Sequence, residues 1–208
     1  IIESDKFIFN TSGLPIPGGE NLCVQAWKLL KKDFDIGNVN IHLHKRIPLG
    51  SGLGGGSSNA SFTLRLLNSI FNLDLSNIEL EEYAIKIGSD CPFFIDNTPK
   101  IVQGRGKDMR KVNLDLSDFT IKLECPNLFI STKKAYSKVI PREPLMLSED
   151  IIHLSIKDWK GKLRNDFEDS IFLIFPEIKK IKKKLYDQGA TYCSMTGSGS
   201  AVYAIFEK

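Results

Sequence analysis

Between Arg46 and Phe71 the chain reads RIPLGSGLGGGSSNASFTLRLLNSIF, with glycine at positions 50, 52, 54, 55 and 56 and then Ser57 and Ser58. Glycine loses more backbone freedom on ordering than any other residue, so a run of it needs a structural reason. A linker is one reason, but linkers do not usually run straight into a patterned helix. Here Phe62, Leu66 and Ser69/Ile70 recur at helical spacing, with Leu64, Leu67 and Phe71 on a neighbouring stripe, and predict a helix over 57–71. Ser57, Ser58 and Asn59 are all good N-cap types. Upstream, Val39, Ile41 and Leu43 alternate with Asn40, His42 and His44, the period of a half-buried strand. Strand, glycine loop and helix in that order expose backbone N–H groups at a helix N-terminus, an arrangement suited to an anion and most often to phosphate.

The two commonest phosphate loops fit poorly. The Walker A pattern needs a lysine after its last glycine, where this chain has Ser57 and Ser58. A Rossmann G-x-G-x-x-G can be traced through Gly50, Gly52 and Gly55, but Asp74, near the distance of the required acid, follows a helix and not a second strand.

The 208 residues suffice for one large domain or two small ones, with 42% hydrophobic and 25% charged residues, ordinary for a globular protein. No apolar run approaches the ~18 residues of a membrane span, and Ile1–Phe7 lacks the basic head and apolar stretch of a secretion signal. Cys23, Cys91, Cys125 and Cys193 are widely spaced, which indicates neither a zinc site nor a disulfide framework. A cytoplasmic setting with no membrane partner is expected. The net charge of +3 makes no demand for nucleic acid. The basic stretch from Lys179 to Leu185 is interrupted by Ile181 at helical spacing with Ile178 and Leu185, and reads as the solvated face of an amphipathic helix.

Along the chain, a short strand near Lys6–Asn10 leads through a turn-rich loop to a helix beginning at Asn21, with Leu22, Ala26, Leu29 and Leu30 expected on its buried stripe. A helix from Ser76 carries a capping box with Glu79 and ends at Gly88. A hairpin with Gly104 and Gly106 at its bend covers 100–112, and a strand begins at Phe119. A helix capped by Ser131 or Thr132 follows, then two helices split by Pro176. Two strands bent at a second glycine turn close the chain. A domain boundary is expected after Asp118.

PLGSGLGGGSS, Pro48 to Ser58, closely resembles the phosphate loop of the GHMP kinases, the family named for galacto-, homoserine, mevalonate and phosphomevalonate kinases. The expanded GLGGGSSNA form looks most like one branch, the 4-diphosphocytidyl-2-C-methyl-D-erythritol kinases of non-mevalonate isoprenoid biosynthesis. The resemblance covers nearly the whole chain. It implies an α+β fold, with a ribosomal-protein-S5-like N-terminal domain over 1–118 and a ferredoxin-like C-terminal domain over 119–208. It also implies an enzyme that uses ATP and Mg²⁺ to phosphorylate the 2-hydroxyl of a small molecule, the cytidine diphosphate-linked methylerythritol. Pro48, Leu49, Gly50, Ser51, Gly52, Leu53, Gly54, Gly55, Gly56, Ser57 and Ser58 would then bind the nucleotide phosphates.

The acid–base candidate is Asp90 in GSDCPFF. On spacing alone it reads as a turn aspartate bonding its own backbone. The alternative is a partly buried carboxylate with a tuned pKa, set against Phe93, Phe94 and Ile95. The resemblance favours the second, since a similar segment carries the family's catalytic aspartate, which takes or orients the proton of the acceptor hydroxyl. Thr196, Gly197 and Ser198 in MTGSGSAVYAIF read either as a hairpin turn or as exposed N–H groups, and the resemblance gives them a place in shaping the substrate site. A tyrosine such as Tyr136 on a helix is most often core. By resemblance it stacks on the cytosine ring, with Thr132 contacting the substrate. His42 and His44 project to one face of a strand, but no third ligand accompanies them, and no metal-ligating set is expected.

The family's opening strand, with its lysine in a K-x-N-L-x-L setting and an aromatic–histidine pair that reads cytosine, has no counterpart here. Ile1–Phe7 resembles the family's third strand, and the chain stops where the family has another helix and strand. The sequence is therefore expected to be a piece of a longer protein, and Lys6 does not replace the absent lysine. Two other readings remain: a GHMP kinase for a different alcohol, and an S5-like RNA-binding module whose affinity would be salt-sensitive.

Overall fold

The computed structural model describes residues 1–106 and 108–208. Lys107, in the stretch read as a hairpin, lies outside the described residues. The chain divides into two compact units, Ile1–Pro48 with Gly54–Lys111, and Leu49–Leu53 with Val112–Lys208.

In the first unit, strands β1 (Ile2–Ser4), β2 (Ile8–Gly13) and β3 (Asn38–Lys45) form a sheet in the order β1-β3-β2. β1 runs antiparallel and β2 parallel to β3, and the β2–β3 crossover is helix α1 (Leu22–Asp33). Asn21 caps α1 by accepting the Cys23 N–H at 3.0 Å. Its buried stripe is Cys23, Ala26, Trp27 and Leu30, while Leu22 packs against the core's edge and Leu29 is half-buried. Helices α2 (Gly55–Ile70), α3 (Asn77–Ile87) and α4 (Cys91–Asp96) complete the layer above the sheet. α3 opens with the expected capping box: the Ser76 N–H donates to Glu79 Oε2 at 2.8 Å. The core joins Val39 and Ile41 of β3 to Ala26, Leu30, Leu64, Leu67, Leu80 and Ala84. On α2 it is the Leu64/Leu67 stripe that is buried. Phe62 and Leu66 are 39% and 47% exposed, with Arg65 over the Phe62 ring at 5.0 Å. A hairpin of β4 (Lys100–Gln103) and β5 (Asp108–Lys111) ends the unit.

The second unit holds an antiparallel sheet in the order β6-β8-β7, from β6 (Phe119–Glu124), β7 (Tyr192–Met195) and β8 (Val202–Glu207). Short helices α5 (Thr132–Tyr136) and α6 (Ser148–Ile151) precede α7 (Phe167–Ile174) and α8 (Pro176–Asp187). The α7–α8 break falls at Pro176, as read from the sequence. Ile178 and Leu185 of α8 are buried and Lys179, Lys180, Lys183 and Lys184 face solvent, so the basic stretch is one side of an amphipathic helix.

The cut expected after Asp118 falls inside this unit. Leu114 and Leu116 already pack with Ile151, Trp159 and Tyr192, which draws Val112 onward into the second core. Leu49–Leu53, expected with the N-terminal domain, also groups here, because the Ala201 N–H donates to Ser51 O at 3.0 Å and Thr196 bonds to Gly52. Among the described residues no helix is long and apolar enough to cross a membrane. All four cysteines are free.

Candidate functional site

The glycine run serves two sets of neighbours. In the first unit, α2 starts at Gly55 and not at Ser57, because Gly54 takes a left-handed conformation (φ 64°) and serves as N-cap with no side-chain bond. The Ser58 N–H closes the first turn on Gly54 O at 2.8 Å, and Ser57, Ser58 and Asn59 lie inside the helix instead of capping it. The opening N–H groups of such a helix have no intrahelical acceptor, and no side chain caps them here. A Cβ on Gly54 would lie 2.8 Å from Phe94 Cζ, and one on Gly55 would lie 2.8 Å from Ile47 Cγ2 and 3.2 Å from Lys45 Nζ.

Lys45 escaped the sequence reading. The period that buries Val39 and Ile41 and half-buries Leu43 carries on to position 45, so the lysine points inward at the end of β3 and is only 4% exposed. Its Nζ donates to Asn59 Oδ1 at 3.1 Å. Burial pushes its ammonium below the ordinary lysine range, with the neighbouring Cys23 sulfur acting the other way. Burial likewise pushes the Cys23 thiol up.

Asp90 occupies the N-cap position of α4 and is exposed, contrary to the partial burial expected. Cys91, Pro92 and Ile95 take the buried positions of that corner. Nor is Asp90 a turn aspartate bonding α4, since its side chain makes no capping hydrogen bond. Two contacts fix the backbone around it. Ser61 Oγ lies 2.6 Å from Cys91 O and 3.0 Å from Ser57 O, which ties the start of α4 to the first turn of α2. Gly106, in the bend between β4 and β5 (φ 77°), sits so close that a Cβ would meet Ser89 O at 1.9 Å.

In the second unit, the loop residues meet the β7–β8 turn. The Thr196 hydroxyl donates to Gly52 O at 2.8 Å. Gly50 and Gly52 have φ of 65° and 74°, and Phe129 covers Gly50 so closely that a Cβ would lie 2.5 Å from Cδ2. The turn itself is closed by Thr196 N–H to Ala201 O at 2.9 Å and Gly199 N–H to Thr196 O at 3.0 Å. Asn165 Nδ2 reaches both Met195 O and Gly197 O at 2.8 Å, while its Oδ1 accepts the Phe167 N–H at 3.0 Å and so starts α7. Glu168 Oε1 accepts the Met195 N–H at 2.8 Å, and its Oε2 pairs with Lys182 at 2.6 Å. Nothing in the spacing of Asn165 or Glu168 marked them as supports of this turn.

Thr132 is exposed at the first position of α5, which Ser131 caps by accepting the Lys134 N–H at 3.2 Å. Tyr136 is 63% exposed and not core; Ala135 fills the buried position, and the Tyr136 ring meets Phe167 edge-on with centroids 4.9 Å apart. His42 and His44 both face solvent, each 2.8 Å from Ser12 Oγ. No cluster of three potential metal-ligating side chains occurs among the described residues.

The chain is similar to known proteins of one family. Residues 21–98 match the family model for the GHMP kinases N terminal domain, and residues 148–208 that for the GHMP kinases C terminal. A 4-diphosphocytidyl-2-C-methyl-D-erythritol kinase from Azobacteroides pseudotrichonymphae is 47% identical over 214 aligned residues, which span 100% of this chain and 79% of that protein. The kinase of the same name from Parabacteroides distasonis is 44% identical, over 100% of this chain and 78% of its own. Among solved structures, a 4-(cytidine 5'-diphospho)-2C-methyl-D-erythritol kinase superposes with a TM-score of 0.82 at 29% identity, covering 99% of this chain and 75% of that one. A homoserine kinase from Cytophaga hutchinsonii shares the fold, with a TM-score of 0.68 at 18% identity over 99% of this chain and 73% of its own.

Proposed function

The chain belongs to the GHMP kinase family, and we propose that it transfers the γ-phosphoryl group of ATP to the 2-hydroxyl of 4-diphosphocytidyl-2-C-methyl-D-erythritol. The observation that carries the reading is the likeness to kinases of that substrate along the whole of this chain.

Phosphoryl transfer asks a protein mainly for positioning and charge stabilisation. Three left-handed glycines, Gly50, Gly52 and Gly54, set the path of the loop, and the uncapped first turn of α2 offers N–H groups to an anion. Pro48–Ser58 therefore fits the phosphates of a nucleotide. Magnesium is most often bound through substrate phosphates with one or two protein ligands. Ser57 or Ser58 would supply a hydroxyl to it.

Asp90 is the group assigned to the acceptor hydroxyl. Its exposure leaves the carboxylate accessible to a substrate, and Ser61 and Gly106 hold its backbone from two sides. Tyr136 presents a largely exposed ring for stacking on a base, Thr132 a hydroxyl on the same short helix, and Thr196, Gly197 and Ser198 a turn that shapes the acceptor side.

The test is nucleotide-dependent phosphorylation of that substrate by full-length protein, with Asp90→Asn alongside. Loss of about 10²–10⁴ in turnover with ATP binding retained supports both substrate and role. No turnover by the wild type while ATP still binds would remove the substrate and keep the family.

A further inference from the structure

Among the described residues, the first unit contains a buried cation with no anion to meet it. Lys45 is 4% exposed, and its ammonium has three N–H donors, one of which is used on the neutral Asn59 amide at 3.1 Å. Among the described residues no carboxylate lies within ion-pair distance of it. Removing an ammonium from water without a counter-charge is unfavourable.

The position of this charge adds a second cost. The bare α-carbon of Gly55, first residue of the sixteen-residue α2, is packed so near that a Cβ would stand 3.2 Å from Nζ. The N-terminus of an α-helix carries about half a positive charge. Basic side chains are favourable at the opposite end. Here a full positive charge is buried beside the positive end of a helix whose first turn has no side-chain cap. Two like-signed groups, each short of an acceptor, face one another across a glycine.

Both deficits are relieved by one event, the arrival of a multiply charged anion at the turn. Resting on the kinase reading above, we propose that Lys45 is a positioning residue for the nucleotide phosphates: a fixed cation beside the first residue of α2, unfavourable in the free protein, that raises the affinity of the α2 N-terminus for polyphosphate. It acts through the field at the turn, with the glycine backbone in direct contact with the ligand. The glycine at position 55 is then required twice, to start the helix and to let the cation come this close.

The experiment compares full-length wild type with Lys45→Met, which keeps the unbranched shape and removes the charge, using ADP, tripolyphosphate and adenosine as probes. Melting temperature of the free protein and dissociation constants are read together. The expected result is a free-protein Tm equal to or above wild type, about tenfold weaker ADP and tripolyphosphate binding, and unchanged adenosine binding. A lysine that is merely structural would lower Tm and leave the dissociation constant of the folded fraction alone. ADP binding within twofold of wild type overturns the proposal. If Lys45→Met does not fold, Lys45→Gln takes its place, and failure of both to fold also overturns it. Wild type that binds neither ADP nor tripolyphosphate would sink the kinase reading itself, an outcome distinct from a variant that binds as well as wild type.

Discussion

The Thr196 hydroxyl bonds to the Gly52 carbonyl at 2.8 Å, and in return the Gly52 α-carbon lies where a Cβ would stand 2.1 Å from the Thr196 carbonyl oxygen. Two glycine-bearing turns far apart in sequence thus fix each other, one by a hydrogen bond and one by bare contact. Gly52→Ala should destabilise the protein by about 3 kcal/mol, since a left-handed φ and a clash with rigid backbone both oppose it. Gly104→Ala is the control: its φ is 60° but nothing lies within 4 Å of the added carbon, so about 1 kcal/mol is expected. Urea unfolding of the two variants gives the comparison, and equal losses would remove the argument from close packing.

Thr196→Val keeps the shape of the side chain and removes its donor. The Gly52 carbonyl is then left without that bond, at a cost of about 1 kcal/mol. The same variant should raise KM for ATP several-fold, because the loop path is no longer fixed from this side. Steady-state kinetics well below the melting temperature would check it, and an unchanged KM would show that Gly52 is held by packing alone.

Ser61 is fully buried, and its hydroxyl reaches the Cys91 carbonyl at 2.6 Å. Ser61→Ala should cost about 1–2 kcal/mol and lower kcat about tenfold, since small displacements of a catalytic group are expensive. Binding of ATP should stay near wild type. A stability loss with kcat intact would mean that Asp90 is positioned by other contacts.

Acid should act on the same corner through Asp96, the last residue of α4. Hydrogen bonds from Lys111 and Thr98 hold its carboxyl at about 2, below the ordinary 3.8. A pKa lowered by folding means that the unfolded chain takes up the proton first. The contribution is therefore complete above about pH 4 and is lost as pH falls toward 2. Asp96→Asn should flatten that part of the stability profile, measured as the urea midpoint from pH 6 to pH 2; an unaltered profile would place the acid sensitivity elsewhere.

Local chemistry made much of this legible in the sequence. The Ser76–Glu79 capping box, the break at Pro176 and the alternation along β3 each follow from neighbours in the chain. What escaped depended on long-range packing. The start of α2 moved forward because Gly54 turns left-handed against the Phe94 ring, a partner no spacing reveals. Phe62 and Tyr136 fit an apolar pattern and yet face solvent, since the periodicity of a helix does not say which of two stripes the rest of the fold will cover. Asn165 and Glu168 look like ordinary helix-start residues until the β7–β8 turn is seen resting on them. Lys45 is the instructive case, because the alternation that correctly buried Val39 and Ile41 extended two positions further than the apolar residues did.

Leu49–Leu53 packs with the unit that is otherwise built from Val112–Lys208, while the residues on either side of it belong to the other. A chain arranged in this way cannot be shortened to either half by a single cut. Cleavage after Lys111 would strand those five residues from Thr196, Ala201 and Phe129, and a fragment beginning at Val112 would lack the segment its own turn rests against.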